Sequence, residues 1–177
     1  MISHITNGAI DYRIAIGTLA DVLNPRYVKE ERISTILNIS GVRDEIILRV
    51  FRDAGLNIFY KSHPITESDV YPIIDEKGSR INNLDDKAVQ RFLEQCELAY
   101  CELSQIKFGA PMERVLVNCV AGIDRSPFIV AKYLRDKFIG GWERSYEIIK
   151  KCRPFINVHM EWIPEIWSDG KCLLKGR

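Results

Sequence analysis

Cys119 and Arg125, with five residues between them in Asn118-Cys119-Val120-Ala121-Gly122-Ile123-Asp124-Arg125-Ser126, have the spacing of an anion trap with a nucleophile at its base. A short apolar strand, Val115-Leu116-Val117, leads in. A helix leads out behind Pro127, whose missing N–H costs nothing in a first helical turn. A loop curled at a helix N-terminus points successive backbone N–H groups inward, and the helix dipole adds positive potential. Such donors can surround three phosphate oxygens while Arg125 grips two of them bidentately, and the same field favours a thiolate at Cys119. Gly122 relaxes the curl where a side chain would obstruct it. The bare Cys-x5-Arg pattern has an expected chance frequency of about 0.4 in a chain of this composition. Adding Gly at the third place after Cys and Ser or Thr after Arg lowers that to about 0.002. The competing reading of Cys119 is a small buried hydrophobe.

Positioning such a loop needs alternating strands and helices. Short strands are expected around Ala9–Ile16, then a brief helix at Leu19–Leu23 stopped by Asn24-Pro25. Ile33–Ile39 is rich in β-branched residues and closes with Ser40-Gly41, a strand and turn. Asp44 can cap a helix through Ala54 with Ile47, Leu48 and Phe51 on one face and Gly55 as its stop, and Leu56–Tyr60 is the next strand. From Ser62 to Leu84 no period is sustained, and a loop of that length is functional or disordered. Asp85 then opens a helix carrying Val89, Phe92, Leu93, Cys96, Tyr100 and Leu103 at helical spacing. Helices follow behind Pro127, over Glu143–Cys152 and, with Asn157 as cap, over Met160–Trp167. The expected fold is α/β: a central, mostly parallel sheet of four or five strands flanked by helices on both faces. The cysteine loop sits at the C-terminal end of the last-entered strand, and residues 1–177 form one domain.

The loop Asn118–Ser126 resembles the signature of the cysteine-dependent protein tyrosine phosphatases, specifically the small dual-specificity phosphatases. Ile5–Gly17 is similar to that family's N-terminal strands and Ile33–Ser40 to its second core strand. Lys151-Cys152-Arg153-Pro154-Phe155-Ile156-Asn157 is similar to the stretch leading into its last helix. The resemblance implies a protein tyrosine phosphatase-like fold and a phosphocysteine formed on Cys119, with no metal and no cofactor. It also implies that Arg125 and the backbone N–H groups of Val120, Ala121, Gly122, Ile123, Asp124 and Arg125 hold the substrate's equatorial oxygens. Ser126 would hydrogen-bond the sulfur and help it leave when water attacks.

Two positions depart from the family's pattern. Asn118 stands where the family has His, and it can hydrogen-bond but carries no charge. Asp124 adds a negative charge beside Arg125. Both point to reduced activity. The leaving oxygen needs a proton, which the family takes from an Asp on the loop before the long helix. In His63-Pro64-Ile65-Thr66-Glu67-Ser68-Asp69, direct alignment brings Glu67 to that place. Asp69 has the usual residue type two places later and is the expected general acid, with Glu67 as the alternative and Asp75 a remote third.

The implied activity is a phosphoprotein phosphatase acting on phosphotyrosine and on phosphoserine or phosphothreonine, with a phosphorylated protein as partner. The alternative is a pseudophosphatase that binds phosphorylated partners with little turnover. The loop has no Lys and one acidic group, which disfavours a phosphoinositide headgroup or an RNA 5′-triphosphate. A rhodanese-like sulfur transferase fits the helices and the Arg153–Asn157 stretch poorly.

Composition agrees with a globular chain: 46% hydrophobic and 28% charged residues over 177 positions exclude disorder and a disulfide-stapled scaffold. With 25 Lys+Arg against 24 Asp+Glu, the net charge of +1 supplies no global field for nucleic acid or membrane. The N-terminal residues have no basic, apolar leader pattern, and five cysteines without C-x-x-C spacing suit neither zinc nor a disulfide framework. A reducing location, cytoplasm or nucleus, is expected. Cys96 and Cys101 are expected to be packing residues, and Trp142, Trp162 and Trp167 core or interhelical residues. Cys152 is expected to be structural, with a resolving thiol for oxidised Cys119 as the alternative. His159 is expected on a helix surface, with a place bordering the active site as the alternative.

Overall fold

Alternate side chains of each central strand leave the sheet on opposite faces, and each face acquires its own core. On β5 (Arg114–Asn118), Val115 and Val117 enter one cluster and Leu116 the other. Tyr12, Ile14 and Ile16 of β2 (Ile10–Gly17) join the first, as do Leu37 of β3 (Ile33–Asn38) and the following Ile39, while Ala15 and Ile36 join the second. This computed structural model describes residues 1–7, 10–66, 86–106, 113–139 and 141–163. The five described strands lie in the order β1-β2-β5-β3-β4, with β1 being Ser3–Asn7 and β4 Phe59–Ser62. Only β1 against β2 is antiparallel among these neighbours; β2–β5, β5–β3 and β3–β4 are parallel. The fold is therefore the expected mixed α/β layer with helices on both faces.

One face is covered by three N-terminal helices. Thr18 opens α1 (Leu19–Val22) with a reciprocal cap, accepting from the Asp21 N–H while the Asp21 carboxylate accepts from the Thr18 N–H. Helix α1 stops before Asn24-Pro25, as expected, and a second helix starts there at once. Asn24 caps α2 (Pro25–Glu30) by accepting from the Tyr27 N–H, and Pro25 takes the first helical position, where its fixed φ is pre-set. The third helix, α3 (Asp44–Asp53), stops at Gly55, whose φ of +64° suits glycine. Two expectations for α3 are corrected. Asp44 lies inside the helix and makes no cap, its carboxylate instead accepting from the Tyr60 hydroxyl at 2.7 Å. Leu48 is 41% exposed, so the buried face runs through Ile47 and Phe51 with Val50 beside them.

The other face carries α4 (Asp86–Gln105), α5 (Arg125–Leu134) and α6 (Trp142–Cys152). Ala88, Phe92, Cys96, Ala99 and Leu103 of α4 form its buried stripe. Every residue of α5 is buried, and the helix runs on into a π-helical turn, Arg135–Ile139. Phe92, Phe128, Trp142 and Trp162 stack together between α4, α5 and the C-terminal segment, which gives Trp142 and Trp162 the expected core roles. Beyond α6 only a 3-10 turn, Met160–Trp162, lies among the described residues. Trp167 and Cys172 lie outside them. No helix of the described residues is long and apolar enough to cross a membrane.

Candidate active site

Parallel register brings the C-terminal ends of β2, β5 and β3 level, with Asn118 paired to Gly17 on one side and Asn38 on the other. Cys119 follows at once, buried, and the chain turns through residues 120–124 into α5. Two donors converge on its sulfur: the Gly122 N–H at 3.1 Å and the Ser126 hydroxyl at 3.0 Å. Ser126 Oγ in turn accepts from the Cys119 N–H at 3.1 Å.

The loop's shape is set from outside. The carbonyl of Val120 accepts from the Leu19 N–H at 3.1 Å, a group left without an intrahelical partner at the start of α1. The carbonyls of Ala121 and Gly122 accept from Arg153 Nη2 at 3.3 Å and Nε at 2.7 Å. That of Ile123 accepts from the Asn157 N–H, and that of Asp124 from the Phe128 N–H, both at 3.1 Å. None of the peptides is cis, so each N–H that follows one of these carbonyls points the opposite way. The N–H groups of Ala121 through Arg125 consequently face the inside of the curl, and the Gly122 N–H on sulfur is one of them. Gly122 has φ +68°, and a Cβ there would lie 2.6 Å from Arg153 Nη2 and 2.7 Å from the Gly17 carbonyl oxygen, so glycine is required twice over.

This is a cup of inward-facing N–H groups with a sulfur at its floor, built on an open α/β sheet at the carboxyl ends of its strands, an arrangement whose chemistry suits an anion. The phosphatase domain of Yvh1 from Chaetomium thermophilum superposes with a TM-score of 0.64, at 19% identity over 96% of this chain and 97% of that one. The chain has the fold of a dual-specificity phosphatase domain. DUSP15 superposes at a TM-score of 0.55 with 20% identity, covering 96% of this chain and 90% of its own. In sequence, dual specificity protein phosphatase 22 of Xenopus laevis is 28% identical over 117 residues, 66% of this chain and 51% of the relative. The chain thus spans about half the length of that curated relative. No family model matches the chain.

In this dual-specificity phosphatase fold the departure at Asn118 is accommodated by a second asparagine. Asn118 is fully buried and donates through Nδ2 to Asn38 Oδ1 at 3.0 Å, while its own Oδ1 has no hydrogen-bond partner among the described residues. Asn38 Oδ1 also accepts from the Ser40 N–H and hydroxyl, and Asn38 Nδ2 donates to the Tyr60 oxygen at 2.8 Å. The Tyr60 proton goes to Asp44. Burial first, and then this bond to Asp44, push the Tyr60 pKa well above its ordinary value. A directed chain therefore runs Asn118 to Asn38 to Tyr60 to Asp44, across β5, β3, β4 and α3.

Arg125 is buried, and its Nη1 donates to the Ile65 carbonyl at 2.8 Å. That contact ties the guanidinium to the segment carrying the acid candidates. The segment is anchored at its near end by His63 N–H on the Asn38 carbonyl, Ile65 N–H on the Ile39 carbonyl and Thr66 N–H on Gln95 Oε1. Glu67, Asp69 and Asp75 lie outside the described residues, as does the rest of the 67–85 stretch.

Asp124 is held away from the cup: its Oδ1 is 2.7 Å from Asn157 Nδ2 and 2.7 Å from His159 Nε2. Asn157 is accordingly a loop brace and not the expected helix cap. His159 is 8% exposed and stacks on Trp162, which corrects its expected place on a helix surface. Cys152 Sγ lies 3.5 Å from the Thr6 carbonyl. Thr6 is paired with Asp11, whereas the level of Cys119 is that of Gly17. Six residues of strand separate those levels by about 20 Å, too far for the Cα approach of about 7 Å that a disulfide requires. Cys152 is thus the structural cysteine and not a resolving thiol.

A surface groove of about 680 Å³ lined by Ser34, Asn57, Phe59, Lys61 and Glu102 lies at the opposite end of the sheet from Cys119. Sequence reading missed Arg153, Leu19, Ile65 and Asn38 as builders of the site. Three of them act on or through backbone groups, which leave no mark on residue type.

Proposed function

We propose that this protein is a cysteine-dependent phosphatase that hydrolyses phosphomonoesters of proteins. The observation that carries this reading is the convergence of the Gly122 N–H and the Ser126 hydroxyl on Cys119 Sγ, inside a loop whose carbonyls are all drawn outward. The sulfur attacks phosphorus, the bond to the leaving oxygen breaks, and that oxygen takes a proton from the acid segment behind Ile65. Asp69 is the proposed donor, with Glu67 as the alternative. The charge of the three equatorial oxygens is met by the inward N–H groups and Arg125, which supplies the stabilisation electrostatically. Water then attacks the phosphocysteine, its proton passing to the same carboxylate. The S–P bond breaks with the Ser126 hydroxyl already hydrogen-bonded to the departing sulfur. Phosphotyrosine and phosphoserine or phosphothreonine in proteins are the proposed substrates, since the loop contains one basic residue only, Arg125.

Turnover of a fluorogenic aryl phosphate in the presence of a chelator tests this. Wild type should turn over, Cys119→Ser should not, and Asp69→Asn should lose most of the rate with a poor leaving group. If Glu67→Gln abolishes that rate and Asp69→Asn does not, the acid is Glu67. Binding of orthovanadate without turnover would favour the pseudophosphatase instead.

A further inference from the structure

Asp124 is the N-cap residue of α5, where an aspartate carboxylate ordinarily accepts from the N–H two or three residues on. The third residue on is Pro127, which has no N–H, and no such cap is formed. The remaining local donors for that carboxylate are the N–H groups at the start of α5, of which that of Arg125 faces the cup. An intramolecular carboxylate there would compete with a bound phosphate. It is turned the other way, onto Asn157 Nδ2 and His159 Nε2, both at 2.7 Å. The His159 ring is fixed in this pose by parallel stacking on Trp162, with centroids 3.7 Å apart and planes 5° from parallel. Trp162 is wedged edge-on against Phe92 and Phe128, and Phe128 is the residue whose N–H holds the Asp124 carbonyl.

We infer that His159 is a positioning residue that acts through Asp124, holding its carboxylate out of the anion cup so that the cup stays open to phosphate. The inference rests on the phosphatase reading. It accounts for how a loop with an acid beside Arg125 can still take an anion: the acid is captured from behind by a ring anchored in the aromatic core. Asn157 braces the same oxygen, and its backbone N–H braces the Ile123 carbonyl, so the segment 157–159 holds both the loop's backbone and its one acidic side chain.

The test measures the orthovanadate Kd and the KM and kcat for an aryl phosphate on wild type, His159→Phe, His159→Gln and the double variant His159→Phe/Asp124→Ser. Phenylalanine keeps the stack on Trp162 and removes the donor, whereas glutamine keeps an N–H donor. His159→Phe is expected to raise KM and vanadate Kd by about tenfold, the scale of one unit charge moved toward the anion in a medium of effective dielectric about 20. The kcat should change by less than about threefold. His159→Gln should recover most of the loss, and the double variant should return to within about threefold of wild type. A loss in His159→Phe that persists in the double variant would mean that the ring only supports the fold, and the inference fails. An unaltered KM and Kd in His159→Phe would overturn it equally. Wild type that neither turns over nor binds vanadate defeats the phosphatase reading and this inference together. If wild type binds vanadate without turnover, only the turnover reading fails, and the vanadate Kd series decides the inference.

Discussion

Arg153 Nε donates to the carbonyl oxygen of Gly122 at 2.7 Å, from 31 residues away in the chain. This bond determines which way the Gly122–Ile123 peptide faces, and with it whether the Ile123 N–H looks into the cup. Arg153 is 1% exposed and reaches Ala121 and Ser3 Oγ as well. Burial lowers its pKa from the ordinary value, and the nearby Asp21 carboxylate offsets part of that.

Arg153→Ala should therefore unfold more easily by about 3 kcal/mol, the scale expected when hydrogen bonds from a charged donor are lost and buried acceptors are left behind. Arg153→Lys keeps the charge but not the planar fork, and should recover part of the stability while still weakening vanadate binding. Urea midpoints and vanadate Kd measured together check this, and the idea fails if Arg153→Ala binds vanadate as wild type does.

Gly122→Ala combines a left-handed backbone, which costs a non-glycine residue about 1–2 kcal/mol, with a Cβ placed 2.6 Å from Arg153 Nη2 and 2.7 Å from a backbone oxygen. The backbone oxygen cannot yield as a flexible side chain would. Stability should fall by more than about 2 kcal/mol and turnover should be lost, as denaturation and aryl phosphate assays would register. A Gly122→Ala protein with wild-type turnover would contradict the loop geometry.

At Asn118 the two simplest replacements should differ in their response to pH. Asn118→Ala removes one of three donors from Asn38 Oδ1 and should cost about 1–2 kcal/mol at every pH. Asn118→Asp sets a carboxylate oxygen against Asn38 Oδ1 in a fully buried site, where desolvation favours the protonated acid. Its folded pKa is then raised, so the variant should gain stability relative to Asn118→Ala as pH falls toward 5. Denaturation curves at pH 5 and pH 8 test this, and parallel behaviour of the two variants would refute it.

Tyr60 gives a second pH signature. Its folded pKa is raised, by burial and then by its bond to Asp44. The folded state therefore holds its proton above pH 10, where the unfolded chain releases it. The stabilisation is fully present below about pH 10 and is lost as pH rises beyond it. Tyr60→Phe should cost about 1–2 kcal/mol at neutral pH and flatten the alkaline decline in stability. A wild-type and Tyr60→Phe pair with identical alkaline limbs would remove Tyr60 from the network.

Much of this protein is legible in one dimension because the signals are local. The strand before Cys119, the helix behind Pro127, the glycine at 122 and the stripe on α4 follow from period, turn chemistry and capping, all of which act within a few residues. Local rules failed where two local outcomes compete and distant atoms choose between them. Asn24-Pro25 stops α1 as its residue types suggest, and the capping bond to Tyr27 makes it the start of α2 as well. Asp44 reads as a cap until Tyr60 claims its carboxylate, and Asn157 reads as a cap until Asp124 and Ile123 claim its side chain and backbone.

By itself the sequence determined which thiol, guanidinium and hydroxyl are the candidates for the site, and the α/β order of elements around them, because each of these is encoded in residue type and short spacing. Tertiary structure alone decided the direction in which the loop's peptides face, the capture of Asp124 by His159, and the pairing of Asn118 with Asn38. Those depend on strand register and on a helix end, an arginine and a histidine brought from far along the chain. Their acceptors are backbone carbonyls and their donors backbone or distant side-chain groups, and a carbonyl is the same in every residue.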